Sequence, residues 1–283
     1  MSVLTISFEN VASFENVAQQ IPSTDEKKSA MIKHSLQHSP PHSGITSRRR
    51  KSRAVHRFVE RNLIHRISYD EYREKVRKVY GGRRGAMLTK FSSISGHLQF
   101  GERLLRQRRF DPEGAHNILD IGSGAGQIIG HLLKYADADA KITGIDISHK
   151  MLGRARRRLK SDRPRFIAAD LAQLPFPDSF FDCVTCGYVL EHLPNAYAGL
   201  AEISRVMTPG GRLLLFATED SFSGAWTSRL WTCRTYNRRD LLKTCEEFGL
   251  NLTQELWFTR MHRLLRAGGI CVELTKAETN HSD

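Results

Sequence analysis

The chain has 283 residues, enough for one domain of about 200 residues and an appendage. Its five cysteines are scattered, which excludes a disulfide framework, and no apolar run reaches the ~18 residues that span a bilayer. The N-terminus lacks the basic-then-apolar layout of a secretory signal, so these features favour a cytoplasmic protein.

The formal net charge of +13 is concentrated in one segment. Between Arg48 and Phe110 the chain has 19 Lys or Arg residues against five Asp or Glu residues, so the remainder is close to neutral. A segment of this kind contacts nucleic acid or an anionic membrane surface, or is simply solvated.

The N-terminal third divides into two parts. Residues 1–53 are predicted to be a disordered polar and basic tail, which contains a tandem hexapeptide too short to form a solenoid. Residues 54–110 are predicted to be a basic helical cap, because apolar side chains such as Phe58, Ile64, Tyr72 and Val76 recur at helical spacing. Residues 111–283 form the expected main domain.

A glycine-rich turn from Asn117 to Gln127, NILDIGSGAGQ, organises this domain. The apolar residues before it suit a buried parallel strand, and those after it recur at helical spacing. The pattern is G-x-G-x-G, and Gln127 stands where a dinucleotide fingerprint requires its last glycine.

Strands and helices then alternate along the chain, which is typical of a parallel sheet with helices on both faces. We predict an α/β fold with a Rossmann-like, seven-stranded, mostly parallel, doubly wound sheet and an N-terminal helical extension. After the glycine turn the predicted strands are Lys141–Ser148, Arg165–Asp170, Phe180–Gly187, Leu213–Ala217, a segment near Leu250–Phe258 and Ile270–Thr275.

Several motifs resemble one enzyme family in order and spacing. They are DIGSGAG, GIDIS, AADLAQLPFPDSFFD, YVLEHLP and RVMTPGGRLLL, and they cover Ile118 to Leu215. The chain resembles the class I S-adenosylmethionine-dependent methyltransferases of type 11, which include ubiquinone and menaquinone C-methyltransferases. The resemblance implies S-adenosylmethionine as the cofactor and says little about the acceptor.

The predicted cofactor-binding residues follow the carboxyl ends of four strands, where ligands of such sheets bind. They are Asp120, Gly122, Ser123, Gly124, Gly126, Asp146, Ile147, Met151, Asp170, Leu171 and Gly187. A carboxylate at Asp146 suits the two ribose hydroxyls, and Asp170 suits the adenine amino group. Asp120 is placed to orient the glycine turn or to reach the methionine amino group through water.

His192, just after the fourth strand, is the candidate catalytic residue, because a histidine can act as a general base near neutral pH. A purely structural role is the alternative. Glu191 beside it is expected to face the cofactor or to cap the next helix. The predicted acceptor is a small or lipophilic molecule, with Phe222–Trp231 as one wall and the basic N-terminal helices as a peripheral membrane contact.

Other function classes stay open at this point. An RNA or DNA methyltransferase fits the basic segment, but Gly187-Tyr188-Val189-Leu190 differs from the motifs of base-amine methylation, so nucleic acid is the less favoured partner. A non-catalytic binding module and a dinucleotide oxidoreductase are further alternatives. No metal site is expected, because Cys183 and Cys186 point to opposite faces of a strand.

Overall fold

The computed structural model describes residues 69–81, 109–193, 195–221, 224, 233–257 and 269–278. The predicted tail at 1–53 and most of the predicted cap at 54–110 lie outside the described residues. The same is true of the aromatic side chains expected to form a wall of the acceptor pocket between Phe222 and Trp231.

The described strands form a single seven-stranded sheet. They are β1 (Asn117–Ile121), β2 (Lys141–Asp146), β3 (Arg165–Ala168), β4 (Phe181–Gly187), β5 (Met207–Ala217), β6 (Leu250–Glu255) and β7 (Ile270–Lys276). Their order is β3-β2-β1-β4-β5-β7-β6, and β7 runs in the opposite direction to the other six strands. The predicted mostly parallel sheet is therefore confirmed, with its switch point between β1 and β4.

The described helices pack along this sheet and confirm the predicted alternation. They are α1 (Tyr69–Gly81), α2 (Gln127–Tyr135), α3 (His149–Leu159), α4 (Ala196–Val206) and α5 (Arg238–Glu247), and a 3₁₀ turn covers Leu190–His192. Asn237 caps α5, since its side chain accepts hydrogen bonds from the backbone N–H groups of Arg239 and Asp240. No helix in the described ranges is both long and apolar enough to cross a bilayer.

The core lies on both faces of the sheet. Successive residues of the central strands join two different buried clusters: Cys183 packs in one, and Val184 and Cys186 pack in the other. Both cysteines are thus core residues on opposite faces, as their odd separation predicted. Helices on both sides of a buried parallel sheet give the doubly wound arrangement.

Several strand boundaries differ from the sequence prediction, those of β5 and β3 among them. β5 begins at Met207 instead of Leu213, because Pro209 and the two glycines after it lie in an irregular stretch of the strand and not in a turn. The pairing register shifts there between Phe181 and Cys183 of β4. β3 ends at Ala168, so Asp170 lies in the loop beyond the strand.

Candidate functional site

The glycine turn between β1 and α2 has a backbone that side chains would disrupt. Gly122, Gly124 and Gly126 all have positive φ, a region that other residues rarely adopt. A Cβ on Gly122 would collide with a methyl carbon of Val189, which follows β4. The turn can therefore pass closely by the residue after β4 because position 122 is glycine.

Asp146, at the end of β2, holds this turn in place. One carboxylate oxygen accepts a hydrogen bond from the Gly124 N–H at 3.0 Å, and the other accepts from the Ser148 N–H at 2.8 Å. Burial raises the pKa of Asp146, and these two N–H groups oppose that rise. Because a carboxylate offers about four acceptor positions, both oxygens keep capacity for the hydroxyl groups of a ligand.

Asp120 lies in the core directly behind the turn. It is fully buried, and Thr185 of β4 donates a hydrogen bond of 2.7 Å to its Oδ1. Its Oδ2 has no hydrogen-bond partner among the described residues. Burial raises the pKa of Asp120 to about 7, and the hydrogen bond from Thr185 opposes this rise. Such an unsatisfied buried oxygen is rare in a folded protein and indicates a missing polar partner.

A cavity of about 260 Å³ opens above these groups at the carboxyl ends of the parallel strands. Nine of the twelve predicted site residues line it, all except Asp120, Ser123 and Gly126. Asp120 and Ser123 are hydrogen-bonded to each other and support the glycine turn, and Gly126 is the N-cap of helix α2. Residues that are far apart in the sequence thus meet at one rim, as the strand-end argument predicted.

Helix α1 covers the part of the cavity that contains Asp170. The Tyr69 hydroxyl donates to both carboxylate oxygens of Asp170, at 3.2 and 3.3 Å, and Arg73 Nη1 lies 3.1 Å from Oδ2. The Ala172 N–H adds a fourth contact at 2.9 Å. Helix α1 of the N-terminal extension therefore holds Asp170, the carboxylate predicted to bind the adenine amino group.

The sequence predicts a helical cap, but it does not predict which residues of α1 line the cavity. Tyr69, Arg73 and Val76 line the cavity, with Tyr188 and Gln127 from the main domain. The helical spacing of α1 could be seen in the sequence, but the strand that its residues would contact could not. Tyr188 also has an unusual backbone with φ of 57°, and its N–H donates to Phe216 O at the end of β5.

His192 also contacts helix α1. Its Nδ1 is 3.0 Å from the Tyr72 hydroxyl, and the two rings stack with their centroids 6.3 Å apart. His192 lines the cavity, and burial lowers the pKa of its imidazole to about 4, so the ring is neutral at physiological pH.

Glu191 corrects one expectation. It neither lines the cavity nor caps the next helix, because its Oε1 accepts hydrogen bonds from the Thr218 N–H and hydroxyl at 2.6 and 2.9 Å. Asn195 caps α4 instead. Glu191 therefore ties the loop after β4 to the end of β5, and burial raises its pKa to about 7.

Residues 119–215 match the family model described as Methyltransferase domain, Methyltransf_11. The chain carries a type 11 methyltransferase domain. This confirms the family indicated by the sequence motifs, and the matched region runs from β1 to β5.

Curated relatives match the same part of the chain. The ubiquinone/menaquinone biosynthesis C-methyltransferase UbiE of Desulfotalea psychrophila is 34% identical over 140 residues, which are 45% of this chain and 56% of the relative. The methyltransferase GfsG of Streptomyces halstedii is 35% identical over 130 residues, 44% of this chain and 46% of the relative. The chain thus spans about half the length of these two proteins.

Solved structures share the fold of the methyltransferase domain. Magnesium protoporphyrin IX methyltransferase from Synechocystis PCC 6803, solved with bound SAM, aligns with a TM-score of 0.57 at 21% identity over 73% of this chain and 97% of its own. A Haloferax volcanii putative methyltransferase in complex with the Trm112 activator gives a TM-score of 0.56 at 18% identity, over 67% and 93% of the two chains.

Proposed function

We propose that this protein transfers a methyl group from S-adenosylmethionine to a small or lipophilic acceptor. The observation that carries the proposal is the cavity at the carboxyl ends of β1 to β4, where the glycine turn, Asp146, Asp170 and His192 meet. A methyltransferase domain with this cavity has the parts that such a reaction needs.

The residues present fit the cofactor. Asp146 would accept hydrogen bonds from the ribose hydroxyls through the acceptor capacity left on its carboxylate. Asp170 and the Leu171 N–H would receive the adenine ring, and Met151 would cover it. The unsatisfied Oδ2 of Asp120 would receive the methionine amino group through a water molecule.

The protein's part in the reaction is alignment and exclusion of water. The methyl group of a sulfonium is already activated for in-line displacement, so positioning supplies most of the acceleration. Ile121, Ile145, Ile147 and Leu193 give the cavity apolar walls that keep bulk water from the reacting atoms. His192, which lines the cavity, would contact the acceptor.

The acceptor and its source are further parts of the proposal. The matched relative UbiE is named for ubiquinone and menaquinone biosynthesis, which supports a lipophilic acceptor. We place the reaction in the cytoplasm, where the basic segment from residue 54 to 110 would contact an anionic membrane surface that holds this acceptor. Nucleic acid is the less favoured partner of the segment.

Isothermal titration calorimetry tests the cofactor. The full chain should bind S-adenosylmethionine and its demethylated product, and it should not bind NAD. Asp146→Ala should weaken this binding by about 1.5–3 kcal/mol, as expected when hydrogen bonds to a charged group are lost.

The exposed carboxylate of Asp162 provides a matched control, and Asp162→Ala should leave the affinity unchanged. Tight binding of NAD, or an equal effect of the two substitutions, would contradict the proposed function. Transfer of a labelled methyl group to reduced demethylmenaquinone then tests the acceptor class.

A further inference from the structure

Positive charge is concentrated in and around helix α3. Residues 111–283 contain 21 Lys or Arg residues and 21 Asp or Glu residues, so this part of the chain is neutral overall. Eight of these cations nevertheless lie between His149 and Arg165, where Asp162 is the single acid. A second strongly basic stretch therefore follows the one at 54–110.

The cations of α3 lie on the side of the helix that faces away from the sheet. The buried side consists of Met151, Leu152 and Ala155. Positions 150, 154 and 157 follow the spacing i, i+4, i+7, which places them along the outer side. Together with the C-cap residue they form the basic face of α3, which consists of Lys150, Arg154, Arg157 and Lys160.

The basic face has little neutralising charge. Lys150, Arg157 and Lys160 are exposed, and none of them forms an ion pair with a described residue. The charges on this side of the domain are therefore available to an anionic partner.

Two further arginines flank the basic face. Arg156 donates to Phe166 O at 3.1 Å, and Arg158 donates to Ala125 O at 3.3 Å. A carbonyl oxygen carries no net charge, so these contacts fix the guanidinium groups in place without cancelling their charge. They add to the positive potential of the helix.

Helix stability does not account for this arrangement. Like charges at i, i+4 repel each other, and a cation in the first turn opposes the helix dipole. Lys150 is the second residue of α3, and the first turn contains no acid. The dipole favours the arginines of the last turn, but it opposes Lys150. Departures of this kind from local stability are expected at functional surfaces.

One end of the basic face lies next to the cavity. Lys150 directly precedes Met151, which lines the cavity from the buried side of the same helix. Helix α1, which contributes Tyr69 and Arg73 to the cavity, packs against α3. A partner that covers the basic face would therefore lie beside α1 and the cavity.

We propose that the basic face of α3 docks on an anionic phospholipid surface. Each Lys or Arg that approaches such a surface strengthens binding by about fivefold. The choice of a membrane rests on the proposed function, because a lipophilic acceptor dissolves in the lipid. Docking through α3 holds the cavity close to that lipid, and it is separate from any contact made by the segment at 54–110.

Nucleic acid fits the basic face less well. Proteins that hold single strands stack the bases on exposed aromatic rings. The exposed large apolar side chains among the described residues are Phe180, Tyr197 and Leu252, and none of them belongs to α3. The helix also has no Asn, Gln, Ser or Thr side chain to contact base edges.

Co-sedimentation of the full chain with lipid vesicles tests the proposal. Vesicles of phosphatidylglycerol and phosphatidylcholine in equal parts should bind the protein, and vesicles of phosphatidylcholine alone should not. Lys150→Gln with Arg157→Gln should weaken binding to the anionic vesicles by about 25-fold, because two cations are lost. The charge-preserving exchange of Lys150→Arg with Arg157→Lys should retain binding.

The matched control removes the same charges from another exposed helix. Arg239 and Lys243 are exposed on α5, which packs against α4 and β6. Arg239→Gln with Lys243→Gln should leave vesicle binding near the wild-type value. Equal weakening in the two double variants would show that net charge alone matters and would overturn the proposal. An α3 variant that binds as the wild type does would overturn it too.

Fluorescence anisotropy with a labelled RNA hairpin and a labelled single strand tests the other occupant. If the α3 variant loses RNA binding while its vesicle binding stays intact, the face belongs to nucleic acid and the proposal is wrong. Thermal unfolding shows that each variant is folded.

These measurements need neither cofactor nor turnover. The α3 variant should keep the wild-type affinity for S-adenosylmethionine in calorimetry, because Lys150 and Arg157 do not line the cavity. Failure of the proposed function would show as absent S-adenosylmethionine binding by the wild type, whereas failure of this inference would show in the comparison of vesicle binding.

Discussion

The carboxyl group of Asp120 is a buried titratable group behind the glycine turn. It is fully buried, with one oxygen bonded to Thr185 and the other without a partner among the described residues. Its pKa of about 7 in the folded protein lies above the ordinary value of 3.8. The folded state therefore favours the protonated form, and this contribution to stability is complete below pH 4 and is lost as the pH rises through 7.

Asp120→Asn should remove this pH-dependent loss. The difference in unfolding free energy between the variant and the wild type should shift in favour of the variant by roughly 4 kcal/mol between pH 4 and pH 8, because each unit of pKa difference between the folded and unfolded states corresponds to about 1.4 kcal/mol. Urea unfolding at several pH values measures it. The surface control Asp162→Asn should show no such trend, and a flat difference for Asp120→Asn would contradict the assigned environment.

Helix α1 contacts two of the residues that line the cavity, Asp170 and His192. Tyr69 and Arg73 bind Asp170, and Tyr72 binds His192. The cavity of about 260 Å³ beneath it is slightly smaller than the ~300–1,000 Å³ of ordinary ligand pockets. We therefore expect α1 to move aside when the cofactor enters.

Tyr69→Phe combined with Arg73→Gln should loosen this cover. Both the association and the dissociation rate of S-adenosylmethionine should rise several-fold, because closure of a lid limits both steps. Stopped-flow fluorescence measures the rates. Arg77→Gln is the control on the same helix, since Arg77 pairs with Glu74 and does not line the cavity. Unchanged rates in the double variant would show that α1 does not cover the entrance.

A second group of elements is joined by the buried ion pair of Arg238 and Glu219. Arg238 Nε and Nη2 lie 3.1 and 3.0 Å from the two Glu219 oxygens, and Nη2 also donates to Gly269 O at 3.1 Å. These contacts link the start of α5 to the segments that follow β5 and precede β7. The pair was not predicted, since neither residue belongs to a motif.

Arg238→Met should lower the unfolding free energy by about 3–5 kcal/mol, because it leaves the carboxylate of Glu219 buried without its partner. Urea unfolding measures the loss. The neighbouring Arg239 is exposed, and Arg239→Met should change stability by no more than about 0.5 kcal/mol. Similar losses in the two variants would mean that the ion pair does not hold these segments together.

For the whole molecule, the sequence predicts that residues 1–53 contribute little to the packed domain. Deletion of Met1–Ser52 should leave the melting temperature within about 5 °C of the full chain, because a polar segment buries little apolar surface. Differential scanning calorimetry checks this. A larger decrease would reveal packing of the tail against the domain.

The sheet and the rim of the cavity could be predicted because each rests on a local pattern. Apolar runs marked the strands, and the carboxyl ends of parallel strands meet at one edge, so Asp146 and Asp170 had to lie near the glycine turn. The contacts of Tyr69 and Tyr72 could not be predicted, because they join residues about one hundred positions apart with no pattern in common. The prediction for Glu191 was wrong for the same reason, because its hydrogen-bond partner Thr218 belongs to no recognised motif.

The position of β7 has a consequence for the protein's synthesis. β7 pairs with β5 on one side and with β6 on the other, although β6 precedes it in the chain. A nascent chain that has not yet reached Ile270 therefore has a completed parallel half, while the outer edge of β5 and the edge of β6 that pairs with β7 lack this partner. Unpaired edges of this kind recruit strands from other chains, so a ribosome that stalls after β6 holds an aggregation-prone intermediate that chaperones would need to shield.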